Sequence, residues 1–345
     1  MAKIDIISGF LGAGKTTLIR KLLMDALKGQ QVVLIENEFG EIGIDGGFLK
    51  DAGIEIKEMN SGCICCSLVG DFGTALKEVA DTYHPDRIII EPSGVGKLSD
   101  VIHAVERVRG EADLEMNCAA TVVDVTKCKM YLKNFGEFFK NQVEAAGTVI
   151  LSRTDLPKAT DEKVEEALKL IRELNPDATV ITTPVEELGG RKVLDTMEGV
   201  NIDLSHVEEE HGHHHDHDHE ECGHGHDHDH EECGCGHSHA EHEHEHGHHH
   251  HHHADEVFQS WGRETIRKFD RGEIEEILRK LSGDETFGTV LRAKGMVEGT
   301  DGRWIYFDMV PEEADVREGD PEYTGRICVI GAGLKEDKLA DLFGI

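Results

Sequence analysis

The sequence predicts a doubly wound, mostly parallel α/β sheet over residues 1–204 and a small α+β domain over 255–345, joined by a disordered, histidine-rich linker over 205–254. Three observations carry this expectation. Short apolar runs alternate with helical stretches through the first two hundred residues, a glycine loop follows the first of those runs, and 206–253 is built almost wholly from His, Asp, Glu, Gly and Cys. Apolar strands alternating with amphipathic helices suit a parallel sheet covered on both faces, because each crossover helix needs a face to bury against. Strands are expected at 4–7, 32–35, 87–90, 119–125, 148–151 and 179–181. Past 254 the pattern gives a strand at 257–261, a helix at 274–281, strands at 289–294, 304–309 and 326–330, and a helix at 335–343. That order suits an antiparallel sheet with its helices segregated.

The linker holds 22 of the 24 histidines and neither lysine nor arginine, and it accounts for most of the shortfall behind a hydrophobic fraction of 38%. Such a composition cannot bury a core. The formal net charge is −33, which repels phosphate backbones and anionic lipid, so neither nucleic acid nor a membrane is an expected partner. No apolar run approaches the roughly 20 residues that span a bilayer, and Asp5 interrupts the only N-terminal apolar stretch, so a cytoplasmic location is expected. Nine cysteines in a reducing compartment are ligands or buried thiols before they are disulfides. Cys118, Cys128 and Cys328 adjoin strand-like segments and read as small buried apolar residues.

Gly9-Phe10-Leu11-Gly12-Ala13-Gly14-Lys15-Thr16-Thr17 fits the G-x-x-x-x-G-K-[ST] phosphate loop and sits between a strand and a helix starting near Lys15, the context that motif requires. Its glycines let backbone N–H groups curl around phosphates, Lys15 reaches the outer phosphates, and the Thr16 hydroxyl can ligate Mg²⁺. A second carboxylate is needed near the magnesium, and Glu91 at the end of the 87–90 strand supplies it, with Gly94 placed to sense a γ-phosphate through its N–H. Ser152-Arg153-Thr154-Asp155 stands where N-K-x-D normally reads the base. It keeps the Asp that accepts hydrogen bonds from guanine, so GTP is favoured, while ATP as the substrate of a small-molecule kinase stays open.

Asn60-Ser61-Gly62-Cys63-Ile64-Cys65-Cys66 places three thiols within four residues, a density that suits a thiophilic ion lacking one further ligand, or a redox switch. Taken with the phosphate loop, with Ile35-Glu36-Asn37-Glu38-Phe39-Gly40-Glu41 and Asp45, with Glu91-Pro92-Ser93-Gly94 and with Ser152 to Asp155, these residues resemble the CobW-like branch of the P-loop GTPases, relatives of the nickel chaperones UreG and HypB. Leu291-Arg292-Ala293-Lys294-Gly295-Met296 and Val329-Ile330-Gly331 resemble the second domain of that family. The resemblance implies a P-loop NTPase fold and a metallochaperone GTPase. Lys15 and Thr16 would hold phosphate and Mg²⁺, and Glu91 with Asp45 would support the magnesium or the attacking water. Cys63, Cys65 and Cys66 would bind the metal, with Glu36 and Glu41 as weaker candidates for an oxygen ligand. The family usually has Lys where Arg153 stands.

The linker offers many overlapping imidazole and carboxylate pairs: His213, His215, His217, His219, Cys222, His224, His226, His228, His230, Cys233, Cys235, His237 and His239. Such a set favours capacity over selectivity, and since neutral imidazole with an ordinary pKa of about 6.5 is the ligand, collection should weaken in mild acid. The leading expectation is a GTP-hydrolysing metallochaperone that uses Mg²⁺, carries Zn²⁺ or Co²⁺ ahead of Ni²⁺ or Fe²⁺, and hands it to a client metalloprotein or cofactor pathway. A second copy of the chain is a further candidate partner. The alternative is a histidine-rich storage protein in which the GTPase only regulates.

Overall fold

The computed structural model describes residues 1–36, 55–58, 69–108, 113–198, 200 and 257–345, with backbone alone at 55–58 and 69–71. The first region runs β1 (Ala2–Gly9), α1 (Lys15–Asp25), β2 (Val32–Glu36), β3 (Glu55–Glu58), α2 (Val69–Tyr83), β4 (Arg87–Glu91) and α3 (Leu98–Val108). It continues through β5 (Leu114–Asp124), α4 (Cys128–Glu144), β6 (Thr148–Ser152), α5 (Asp161–Leu174), β7 (Thr179–Ile181), α6 (Val185–Leu188) and α7 (Gly190–Glu198). The seven strands pair in the order β3-β2-β4-β1-β5-β6-β7 and every ladder is parallel. The winding reverses at β1.

Strand periodicity divides the apolar runs between two cores. Ile4, Ile6, Val33, Ile35, Ile88, Ile90, Val149 and Leu151 pack on one face against α2, α3, α4 and α5. Ile7, Val32, Leu34, Ile89 and Ile150 point the other way, against α1 and α7. Both faces are apolar because both are covered, which is why these strands read as unbroken hydrophobic runs. Helix termini follow local chemistry. The Thr160 hydroxyl accepts from the Lys163 N–H at the start of α5, where Asp161 and Glu162 also favour the dipole.

On the α1 and α7 side the core contains a charged cluster. Asp5, 1% exposed, pairs with Arg87, whose Nη2 also donates to Glu198 at the end of α7 (2.7 Å). Asn117 donates to Asp5 (2.6 Å) and Lys3 to Glu198 (3.1 Å).

The second region contains β8 (Gln259–Thr265), α8 (Arg271–Gly283), a 3₁₀ turn (Glu285–Phe287), β9 (Thr289–Glu298), β10 (Trp304–Val310), β11 (Glu313–Gly319), β12 (Gly325–Ala332) and α9 (Glu336–Phe343). Its strands form an antiparallel sheet in the order β11-β10-β9-β12-β8. One face packs on α8 and α9 through residues such as Val297, Phe307, Ile277 and Phe343. From the opposite face, Leu291, Cys328 and Ile330 join Phe258 in the same core as Phe10 and Phe135 of the first region. Both sheets belong to one compact unit.

Two strands were not expected. β3 is a four-residue edge strand reading Glu-Ile-Lys-Glu, and β11 is an edge strand, exposed except at Val316, in which four of the seven residues are charged. Edge strands of this kind carry charge to discourage foreign pairing, so they lack an apolar signal. β8 begins at Gln259 and runs to Thr265, not over 257–261, because Phe258 leaves the sheet for the aromatic cluster described below. Among the described residues no helix is long and apolar enough to cross a membrane.

Candidate functional site

The carboxyl ends of β1, β2, β4, β5 and β6 present Gly9, Glu36, Glu91, Asp124 and Ser152 along one edge, the side on which open α/β sheets bind ligands. Glu36 lies in register beside Glu91. The 9–14 loop then leads into α1, whose N-cap Gly14 offers no side-chain cap, and a helix start of this kind is suited to binding an anion. Lys15 is buried; its ammonium donates to the Gly9 carbonyl (3.0 Å) and lies 3.9 Å from Glu91 Oε1. The Thr16 hydroxyl donates to both Glu91 oxygens, at 3.2 and 3.3 Å. A hydroxyl and a carboxylate meeting beside a phosphate loop form the hard oxygen set that Mg²⁺ takes together with phosphate and water.

Gly94 lies against the phosphate loop, and a Cβ there would come within 2.9 Å of the Leu11 nitrogen. The stretch after Glu91 is held from behind by Gln142, which is fully buried and donates to the carbonyls of Gly94 (3.3 Å) and Gly96 (2.8 Å). Asn141 secures the start of α3 through Ser99. Phe10 packs on Tyr131 (4.3 Å between centroids), Phe135 (5.7 Å) and Phe258 (6.4 Å), and the Tyr131 hydroxyl donates to the Leu11 carbonyl (3.2 Å). Burial pushes the Tyr131 phenol up, so it remains a donor.

On the opposite flank the Ser152 hydroxyl donates to the Ala13 carbonyl (2.7 Å). Arg153, at φ +61°, donates to the Gly12 carbonyl (3.0 Å), pairs with Asp124 (3.3 Å) and pairs with Glu313 of β11. Lys127 lies 3.8 Å from the same Glu313; burial pushes its ammonium down, against the pull of Asp124. Asp155 is exposed and has no partner among the described residues, and Thr17 is also exposed.

The fold thus brings together Gly9, Gly12, Ala13, Gly14, Lys15, Thr16, Glu36, Glu91, Gly94, Ser152 and Arg153. Asp45, Glu41, Cys63, Cys65, Cys66 and the linker residues from His213 to His239 lie outside the described residues. Among the described residues no group of three or more His, Cys, Asp or Glu could hold a metal ion. Cys118, Cys128 and Cys328 are buried, as expected, and none of the three is in a disulfide. Burial pushes Cys128 up to about 12 and Cys118 well above its usual value, so both stay protonated and are poor metal ligands. Sequence reasoning missed Asp124, Lys127, Gln142 and Glu313. Asp124 had a readable signal, a carboxylate ending an apolar strand as Glu91 does; Gln142 and Glu313 sit in polar stretches without a motif.

Residues 3–182 match the CobW/HypB/UreG nucleotide-binding domain, and residues 258–344 match the cobalamin synthesis protein CobW C-terminal domain. The zinc chaperone CobW of Sinorhizobium sp is 34% identical over 239 residues, 60% of this chain and 67% of the relative. The zinc chaperone YeiR of Escherichia coli (strain K12) is 31% identical over 169 residues, 49% of this chain and 51% of the relative. The zinc-regulated GTPase metalloprotein activator 1 of Schizosaccharomyces pombe is 26% identical over 332 residues, 91% of this chain and 76% of the relative. The chain therefore spans between about half and three quarters of the length of these three relatives. Its phosphate loop, its strand-end carboxylate and the two matched domains together settle its membership: the chain belongs to the CobW/HypB/UreG family of P-loop GTPases and carries that family's C-terminal domain.

Proposed function

We propose that this chain hydrolyses GTP and uses the cycle to deliver a transition metal, zinc ahead of cobalt, to a client metalloprotein or cofactor pathway. The observation that carries the proposal is the contact set of Lys15, Thr16 and Glu91 at the phosphate loop, in a chain whose relatives are named zinc chaperones. Backbone N–H groups of 9–14 and the Lys15 ammonium bind the outer phosphates. Thr16 and Glu91 hold Mg²⁺, which when bound neutralises charge developing on the phosphate oxygens. Glu91, with Asp45, orients the attacking water. Ser152 and Arg153 support the base side of the pocket, and the exposed Asp155 carboxylate accepts from guanine N–H groups that adenine does not present.

The cargo metal is taken by Cys63, Cys65 and Cys66, with an oxygen ligand from Glu36 or Glu41, and is supplied by the histidine-rich linker. The register of Glu36 beside Glu91 supports coupling between the two sites, since a shift at the end of β4 is felt directly at the end of β2. Chemistry here is positioning and charge neutralisation without a covalent intermediate, so turnover is slow until metal or client completes the site.

Zinc titration of the full chain with and without a non-hydrolysable GTP analogue tests the coupling. Cys65→Ser should weaken the tight site while leaving nucleotide affinity intact; unchanged zinc affinity would remove the thiolates from the mechanism. Deleting 206–253 should cost bound equivalents yet spare one tight site, whereas loss of all tight binding would favour storage.

A further inference from the structure

The tip of the β10–β11 hairpin reaches the nucleotide side of the parallel sheet. Val310 and Glu313 pair across its turn, and Glu312 within the turn adopts φ +69°, with its N–H donating to Ser282 Oγ (3.0 Å). That hydrogen bond helps hold a left-handed conformation that a non-glycine residue adopts only at a cost. Val310 covers the phosphate loop so closely that a Cβ on Gly12 would meet its Cγ1 at 2.6 Å. Glu313 completes the Arg153 contacts: one guanidinium ties Gly12 of the phosphate loop, Asp124 at the end of β5 and Glu313 of the C-terminal sheet. Lys127, whose amino group makes no hydrogen bond among the described residues, lies 3.8 Å from the same Glu313 oxygen.

Beside this contact lies a cavity of about 210 Å³ lined by Gly12, Arg153, Val310 and Glu313 together with Arg292 and Arg317. A contact of one isopropyl group, one shared carboxylate and an exposed pair of Glu312 with Lys158 (4.0 Å), next to open space, can separate without unpacking either sheet.

We propose that the Val310–Glu313 hairpin is a retention clamp that sets how fast guanine nucleotide leaves the site. The proposal rests on the nucleotide site assigned above. Arg153 belongs to the base-reading stretch and Gly12 to the phosphate-reading loop, so their hydrogen bond ties together two walls that must part for release. Glu313 fixes the guanidinium in the pose that makes that bond, and Val310 blocks the loop from lifting. Glu313 and Val310 are positioning residues, acting through Arg153 and Gly12.

The test is stopped-flow displacement of mant-GDP from the full chain with Mg²⁺. Glu313→Gln and Val310→Ala should each release nucleotide roughly five- to tenfold faster, the size of a coupling between contacting residues. Arg153→Ala combined with Glu313→Gln should be no faster than Arg153→Ala alone, and Glu318→Gln, at the far end of β11 beside Arg303, should match wild type. The sign discriminates: if Glu313 acted only as a nearby negative charge, removing it would slow departure of an anionic nucleotide. Unchanged or slower release from Glu313→Gln overturns the clamp alone. A wild-type chain that fails to retain mant-GDP removes the nucleotide assignment, and the clamp with it.

Discussion

Two carboxylates on the parallel sheet are built from similar parts and arranged differently. Asp5, inside β1, is sealed among partners carried by strands: Arg87 opens β4, Asn117 and Cys118 lie on β5, and Glu198 closes the cluster from α7. Glu91, at the open end of β4, is 14% exposed and is met by Thr16 at 3.2 and 3.3 Å and by Lys15 at 3.9 Å, both from the junction of loop and helix. Sealed charge on rigid neighbours fixes a fold. Longer contacts to a loop leave the same chemistry able to exchange partners when a phosphate arrives.

The contrast can be broken at either end. The largest expected effect is Asp5→Ala, which leaves the Arg87 guanidinium inside the core with Glu198 as its remaining acid; a loss of about 3–5 kcal/mol in denaturant unfolding is expected, with nucleotide affinity unchanged. Should nucleotide affinity fall in step with stability, the two clusters are not separable. Next is Glu91→Gln, expected to lower kcat for GTP about 10²–10³-fold while moving unfolding free energy by less than about 1 kcal/mol. A large shift in Tm would return Glu91 to a structural role.

The smallest effect sharpens the comparison through pH. Burial pushes the Glu198 carboxyl up, but hydrogen bonds from Arg87 and Lys3 outweigh burial and hold it below the ordinary carboxylate value. A depressed folded-state pKa contributes stability above the unfolded carboxylate range and loses it as pH falls through the folded value. Glu198→Gln should therefore flatten the acid side of a Tm-against-pH curve, by less than about 1 kcal/mol since the group is partly solvated. An unchanged acid slope would mean that other carboxylates govern that limb.

Much of this was legible because buried parallel strands announce themselves. The runs ending at Glu36, Glu91 and Ser152 are apolar on both faces, and the phosphate loop has a spacing few other functions need. β3 and β11 were hidden for the opposite reason, since edge strands show charge rather than alternation. At the site, Lys15, Thr16 and Glu91 could be named from motif and context. The support from Gln142, 48 residues beyond Gly94, and from Glu313, 160 residues beyond Arg153, could not, because spatial contact between polar residues at long separation leaves no local pattern.

The shared core of Phe10, Phe135, Phe258, Leu291, Cys328 and Ile330 has a practical consequence for anyone cutting this chain into pieces. A fragment ending before Phe258 would not be a smaller enzyme with its surface intact. It would carry a wet aromatic floor beneath the phosphate loop, prone to self-association, and assays on it would report on aggregation as much as on catalysis.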